Sequence, residues 1–343
     1  MVPRAGETKT SDPHSLLLVD RFGRHHTSLR VSVTDACNIR CRYCMPESVN
    51  GFMAQERLMG FEEIERTIRI LAGVGITKVR LTGGEPLMRP GLPRLVERIS
   101  QIPSLQHIAL TTNGMLLSDS MHQLAQAGLT HVNISLDTLR EETFRRMSRR
   151  EGLDRVLDGI EAAIQSGLPV RLNAVVLRDI NLEDCIPLVE FARSRNITIR
   201  FIEFMPLDAE RAWNQSQVVT GKELRKRVED VFGPLALKQD TDPSQPSRDY
   251  VFTNGSGGIG FIDPVSEPFC SNCNRLRLTA DGKFRNCLFG REEWDVMSLL
   301  RRGANDHEIL ALAMDCVRSK FASHGISDAG FEPPVRAMYQ IGG

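Results

Sequence analysis

The chain has 343 residues, with 43 Lys and Arg against 43 Asp and Glu, and eight Cys. A formal charge of zero excludes a protein that coats nucleic acid or anionic lipid with its whole surface, because that mode needs an excess of cations; a local basic pocket stays open. The length allows one large α/β domain or two domains with ample core and no need for disulfide staples, so eight Cys ask for another explanation.

In chain order, the start MVPRAGETKTSDPHS has no apolar stretch of the secretory kind, and Glu7 and Asp12 do not suit an acidic-poor transit peptide. Residues 1–22 read as an N-terminal extension. No apolar run approaches the roughly 18 residues that would span a bilayer. The expectation is a soluble, cytoplasmic protein that binds neither membrane nor nucleic acid. In that reducing compartment, Cys sets serve metals or catalysis more often than disulfides.

From about Leu29 to Met205, short β-rich runs alternate with amphipathic stretches, the pattern of repeated βα units around a parallel sheet. Six strands are expected: Leu29 to Val33, Val79 to Leu81, Ile108 to Thr111, Val132 to Leu136, Val170 to Val176 and Thr198 to Phe204. Between them, sets such as Ile64, Ile68, Leu71 and Ala72 repeat at helical spacing. Six units are too few for a closed (β/α)8 barrel.

Immediately after the first strand comes Cys37-x3-Cys41-x2-Cys44. Three thiols thus gather at a strand's carboxyl end, the edge where α/β proteins place their chemistry. A structural zinc site wants four protein ligands, and no nearby His or fourth Cys completes one, so an iron–sulfur cluster is the preferred reading. A cubane held by three Cys leaves one iron open to a small molecule. Thr82-Gly83-Gly84-Glu85-Pro86 follows the second strand at the same edge; taken alone it is a turn, although its glycines admit close backbone approach and Glu85 can accept from an ammonium.

After Pro206 the alternation stops. A helix is expected near Lys222 to Phe232, and a polar stretch from Gln239 to Arg248 marks a boundary near residue 240. Gly255-Ser256-Gly257-Gly258-Ile259-Gly260 satisfies G-x-G-x-x-G, but Phe261-Ile262-Asp263-Pro264-Val265 follows with no helical period, so a dinucleotide fold is not expected. A second set, Cys270-x2-Cys273-x13-Cys287, suits zinc or iron–sulfur equally by spacing. Arg275-Leu276-Arg277-Leu278 alternates with period two, which puts both guanidinium groups on one face of a strand before a hairpin at Asp281-Gly282. Helices are expected near Glu292 to Arg301 and Asp306 to Ser323. Cys185 and Cys316 sit at helical spacing with aliphatic neighbours and read as core residues.

Cys37-x3-Cys41-x-Tyr43-Cys44-Met45-Pro46 resembles the radical S-adenosylmethionine (SAM) enzymes. The paired Cys trios, the run from Cys270 to Cys287 and the terminal Gly342-Gly343 further resemble the GTP 3′,8-cyclase family of molybdenum cofactor biosynthesis, over about residues 23–343. The resemblance implies an α/β fold, an incomplete (βα)6 barrel over residues 23–240, with a smaller α+β region over 241–343 that carries a second [4Fe-4S] cluster. It implies that Cys37, Cys41 and Cys44 hold a first [4Fe-4S] cluster whose open iron binds SAM, with Tyr43, Gly84, Glu85, Ser135 and Met205 lining the SAM pocket. Cys270, Cys273 and Cys287 would hold the second.

GTP would meet Arg30, Lys78, Arg80, Thr111, Arg171, Arg200, Arg275, Leu276 and Arg277, with Arg277, Gly342 and Gly343 supporting catalysis. At Arg171 the family pattern expects Lys, and the two are not geometrically equivalent. The implied reaction is radical cyclisation of GTP between C3′ of the ribose and C8 of the base. Implied partners are a flavodoxin- or ferredoxin-type reductant, a downstream cyclic pyranopterin monophosphate synthase, and a second copy of the chain in a homodimer. The alternatives are a radical SAM enzyme acting on a peptide, which usually carries a longer C-terminal Cys set, and an electron carrier.

Overall fold

The computed structural model describes residues 17–239 and 241–342. The first 16 positions of the expected N-terminal extension, and Gly343, lie outside the described residues. Twelve strands form one sheet: β1 (Ser28–Ser32), β2 (Lys78–Thr82), β3 (His107–Thr112), β4 (His131–Ser135), β5 (Val170–Val176), β6 (Thr198–Glu203), β7 (Leu235–Leu237), β8 (Arg248–Phe252), β9 (Gly258–Ile262), β10 (Arg275–Leu278), β11 (Lys283–Arg285) and β12 (Trp294–Asp295). Their order is β12-β11-β10-β1-β2-β3-β4-β5-β6-β9-β8-β7.

β1 to β6 are the six strands that the alternation predicts, each parallel to the next. Helices Phe61–Ala72, Leu92–Ser100, Leu117–Gln126, Leu153–Gln165 and Cys185–Ser194 supply the crossovers that parallel pairing demands. One face of each strand packs on these helices. Leu29, Val31, Val79, Leu81, Leu110, Val132, Ile134, Leu172 and Ile199 on that face are essentially excluded from water, each burial stabilising the fold by roughly 2 kcal/mol. Cys185 and Cys316 lie in the same core.

The parallel run does not stop at six. β10 pairs with β1 and β9 pairs with β6, both parallel, so the C-terminal region adds a strand to each edge of the partial barrel. Neither β9 nor β10 follows a local βα repeat, which is why periodicity misses this. Antiparallel pairs β8–β9 and β10–β11 then extend the sheet at its two ends. The glycine-rich 255–260 stretch is the β8–β9 turn running into β9, with Gly257 at φ 86° and no helix after it.

Two expected helices are shorter than their patterns. The first begins at Val296, because Trp294–Asp295 joins the sheet and Asp295 caps the helix by accepting from the Ser298 amide. The second ends at Arg318 rather than running to Ser323; Lys320, just beyond, is buried.

Candidate active site

The other face of the parallel strands encloses a cavity of about 490 Å³. Period-two alternation puts Ser28 and Arg30, Lys78 and Arg80, His107 and Thr111, His131, Asn133 and Ser135, Arg171, Asn173 and Val175, Arg200 and Ile202, and Arg275 and Arg277 on this face. Register lines up Arg277, Arg30 and Arg80 side by side across β10, β1 and β2. A barrel interior is ordinarily filled by branched aliphatics; here it is polar.

Seven cations line the cavity: Arg30, Lys78, Arg80, Arg171, Arg200, Arg275 and Arg277. Among the described residues, two carboxylates, Asp137 and Asp242, line it with them. Burial, then Arg277 and Arg80, pushes Arg30 well below its usual range. Burial, then Arg200 and Arg171, lowers Arg80 to about 10. Burial, then Arg275, lowers Arg277 to about 9. Guanidinium groups gathered against their own repulsion form a site prepared for a polyanion. Arg80 donates to the Thr111 hydroxyl at 3.3 Å. Two of the seven are already paired: Lys78 with Asp242, and Arg200 with Asp249 at 2.6 Å.

Leu276 does not join them. Its side chain is wholly buried on the helix-facing side of β10, opposite Arg275 and Arg277. A side-chain contact with a cavity ligand is therefore ruled out there, and only its backbone is available. The alternation of Arg275-Leu276-Arg277 already implies this.

The first Cys loop leaves β1 at its carboxyl end. Cys44 and Met45 both donate their amides to the Cys41 carbonyl at 2.9 Å, curling the loop. Tyr43, Ser135 and Met205 all line the cavity. Burial raises all three thiols, Cys37 to about 11 and Cys41 and Cys44 further. Desolvated thiols in this number suit a cationic iron group that takes them as thiolates. Among the described residues, no three His, Cys, Asp or Glu gather tightly enough to hold a single metal ion. An iron–sulfur cluster takes one thiolate per iron, so three Cys would hold it and leave one iron without a protein ligand.

Gly84 and Glu85 lie beneath the wall rather than on it. A Cβ on Gly84 would stand 2.4 Å from the Ala36 carbonyl oxygen and 2.5 Å from that of Asp35. The glycine is needed so that this loop can bond the Cys loop: the Gly84 amide donates to Thr34 and the Glu85 amide to Ala36, each at 2.7 Å. Glu85 is fully buried and accepts from the Thr112 hydroxyl and the Asn113 amide at 2.7 Å and from the Leu87 amide at 3.1 Å. Burial nonetheless pushes its carboxyl up to about 7. Three bonds leave one lone-pair direction on the carboxylate for a further donor.

Asp137, just beyond the end of β4, is a cavity residue that the sequence analysis does not single out. It accepts from the Tyr43 hydroxyl at 2.9 Å and the Val175 amide at 2.8 Å, and burial raises it to about 6. Its position two residues past Ser135 on the same face was the available signal. Asn133, Asn173, Phe269 and Met338 also line the cavity and were not expected.

Cys270, Cys273 and Cys287 line the cavity at the β10 side. Burial would raise the Cys273 thiol, but Arg275 and Lys320 outweigh it and hold it at about 5. At the tail, Gly342 has φ 71°, and Arg277 donates to its carbonyl.

Fold, cysteine loop and polar barrel interior together define a radical SAM protein, and residues 31–192 match the Radical SAM superfamily model. Residues 197–326 match the model described as Molybdenum Cofactor Synthesis C. The chain belongs to the GTP 3′,8-cyclase family: it is 45% identical over 345 residues to the GTP 3′,8-cyclase of Rhodopirellula baltica, covering 99% of this chain and 96% of that one. It is 42% identical to the GTP 3′,8-cyclase of Moorella thermoacetica, covering 94% and 99%. In fold it is similar to Streptococcus suis SuiB bound to S-adenosylmethionine, with TM-score 0.60, 14% identity, and 88% and 69% of the two chains covered. Membership brings SAM and an iron–sulfur cluster as the family's cofactors. No helix among the described residues is long and apolar enough to cross a membrane.

Proposed function

We propose that this chain is a GTP 3′,8-cyclase, converting GTP to (8S)-3′,8-cyclo-7,8-dihydroguanosine 5′-triphosphate, the first step of molybdenum cofactor biosynthesis. The observation that carries the proposal is the single cavity in which seven cations and the second Cys trio face one another. A nucleoside triphosphate needs a cationic end and a separate base-recognition end, and this cavity offers both.

In this reading Cys37, Cys41 and Cys44 hold the first cluster, and Cys270, Cys273 and Cys287 hold a second at the base-recognition end. When bound, the first cluster and SAM supply a hydrogen-abstracting radical. The protein's own residues supply the rest. Tyr43, Ser135 and Met205 line the SAM pocket, and Gly84 and Glu85 shape it from beneath, through their bonds to the Cys loop and to Thr112 and Asn113. Arg30, Lys78, Arg80, Arg171, Arg200 and Arg275 hold the triphosphate by charge-assisted bonds and Thr111 adds a hydroxyl; the arginines present fixed forks that match phosphate oxygens. Arg277 fixes Gly342 by donating to its carbonyl, and Arg277, Gly342 and Gly343 support catalysis.

Residues 23–240 act as the partial barrel and 241–343 as the region that carries the second trio, two functional parts of one sheet, with 1–22 as an extension. A flavodoxin- or ferredoxin-type reductant, a downstream cyclic pyranopterin monophosphate synthase and a homodimeric partner complete the proposal.

The test is anaerobic reconstitution with iron and sulfide, then incubation with SAM, a reductant and GTP deuterated at C3′. Deuterium is expected in the 5′-deoxyadenosine formed. SAM cleavage without deuterium transfer would overturn GTP as the substrate.

A further inference from the structure

Outside the cavity, against the second Cys trio, a buried ammonium meets a ligand sulfur. Lys320 is 3% exposed, and its Nζ lies 3.3 Å from Cys273 Sγ, 2.9 Å from the Arg275 carbonyl oxygen and 3.1 Å from His26 Nε2. An ammonium has three N–H donors and no acceptor, so this set saturates it. His26 receives the third bond on a lone pair: its Nδ1 lies 3.1 Å from the Arg24 carbonyl, which can only accept, so Nδ1 carries the hydrogen and Nε2 is bare.

The same N-terminal segment grips the trio a second time. Arg24 donates to the Cys270 carbonyl at 2.7 Å and to the Phe321 carbonyl at 2.7 Å, and is itself held by Asp20 at 2.6 Å. None of Asp20, Arg24, His26 and Lys320 lines the cavity. These buried polar groups have no part in holding substrate, and a buried charge is costly unless it answers another charge.

We infer that Lys320 is a positioning residue for the second cluster, held by His26 and the Arg275 carbonyl so that its ammonium donates to the Cys273 sulfur and favours the cluster's reduced state. The inference rests on the reading that Cys270, Cys273 and Cys287 hold a cluster. One-electron reduction adds one negative charge to iron, sulfide and thiolates together. An enclosed positive charge beside a ligand sulfur stabilises that added charge, and donors to ligand sulfurs are among the groups that set cluster potentials. Arg275 also donates to Cys273 Sγ at 3.3 Å, but its guanidinium lines the cavity and lies over the Phe269 ring, where substrate competes for it. Lys320 is the donor whose contact does not change when the cavity fills.

The test uses the full chain with Cys37, Cys41 and Cys44 replaced by Ala, so that one cluster remains. Its iron content is measured, and its midpoint potential is followed by electron paramagnetic resonance during titration with dithionite. Lys320→Met is expected to keep its iron and to make reduction about tenfold less favourable, a fall of about 59 mV for one electron. Lys320→Arg, which keeps the charge, is expected to restore most of the shift. If the Met variant loses its iron, Lys320→Gln, which keeps a neutral donor, is read in the same way. An unchanged potential in an iron-loaded Met or Gln variant overturns the role of Lys320. A parent chain that binds no second cluster overturns the second-cluster reading, and this inference with it.

Discussion

Arg277 donates through Nη1 to the carbonyl oxygen of Gly342 at 2.7 Å, so the strand that flanks β1 also holds the end of the chain. Gly342 adopts φ 71°, and a Cβ there would stand 2.5 Å from the Thr82 hydroxyl oxygen. A side chain here would press on Thr82 and Ser32 from a left-handed backbone conformation that favours glycine. Gly342→Ala, or deletion of Gly342 and Gly343, is expected to lower cyclisation by on the order of tenfold, matching the loss of a bond to a charged group worth ~1.5 kcal/mol. Iron content and SAM cleavage should hold. Undiminished cyclisation in the truncated chain would remove the tail from the mechanism.

Lys78 and Asp242, both lining the cavity, form an ion pair with side chains 36% and 40% exposed. Burial would raise Asp242, but Lys78 and Ser244 hold it at about 2, so at neutral pH it competes with an incoming phosphate for the same ammonium. Asp242→Asn is expected to tighten GTP binding by about fivefold, since a half-exposed pair of this kind is worth ~1 kcal/mol at most. Lys78→Ala should weaken it. Calorimetry on both variants checks the pair; an Asn variant that binds GTP less tightly would show that Asp242 serves the substrate.

The two Cys trios are expected to fail differently. Cys44→Ser should abolish SAM cleavage, while Cys273→Ser should retain it and lose GTP binding and cyclisation. Assays of 5′-deoxyadenosine release and of GTP binding on each variant separate the roles. Equal loss of SAM cleavage in both would dissolve the division.

Gly84→Ala forces a methyl group against the carbonyls of Asp35 and Ala36. Overpacking against backbone costs about 1–3 kcal/mol, and here the strain falls on the loop that carries Cys37. The variant is expected to melt at lower temperature and to bind less iron at the first trio. A variant that loads iron normally and melts with the parent would show that the loop yields without cost.

Burial, then the charge of Lys320, lowers His26 to about 3 from 6.5. Asp20 and Arg24 are the other charged groups acting on it. The folded chain therefore refuses a proton that the unfolded chain accepts, so stability from this group is intact above about pH 6.5 and is lost as pH falls toward 3, by about 1.4 kcal/mol per pH unit. His26→Gln keeps an acceptor for Lys320 and removes the titration. Urea midpoints of the iron-free chain between pH 7 and 4 should fall less steeply in the variant; parallel curves would show that His26 does not govern this limb.

Much of this molecule is visible in its residue order, for reasons that differ from place to place. Strands β1 to β6 announce themselves because each is followed by a helix with its own period. The cations on the inner face follow from alternation once the strands are placed, and that rule also seats Leu276 in the core. Gly84 was expected to let backbone approach a ligand, whereas the atoms it spares are those of Asp35 and Ala36; close approach is legible in a glycine, but not what approaches.

The pairing of β10 with β1 left no local trace, because its partner strand lies at the other end of the chain. Lys320, His26 and Arg24 are hidden for a related reason. Each is a polar residue in a short polar context, and only the fold shows that they are enclosed.

The placement of β10 also governs how this protein can be made. As the chain leaves the ribosome, β1 emerges early with one edge bare, and β6 likewise waits for β9. The edge of β6 stays open until β9 ends at Ile262, and that of β1 until β10 ends at Leu278, just past four-fifths of the 343 residues. An unpaired strand edge is a template for pairing with other chains. A chain stopped before β10 leaves that edge of β1 without its partner, and such an edge is a template that another chain can extend.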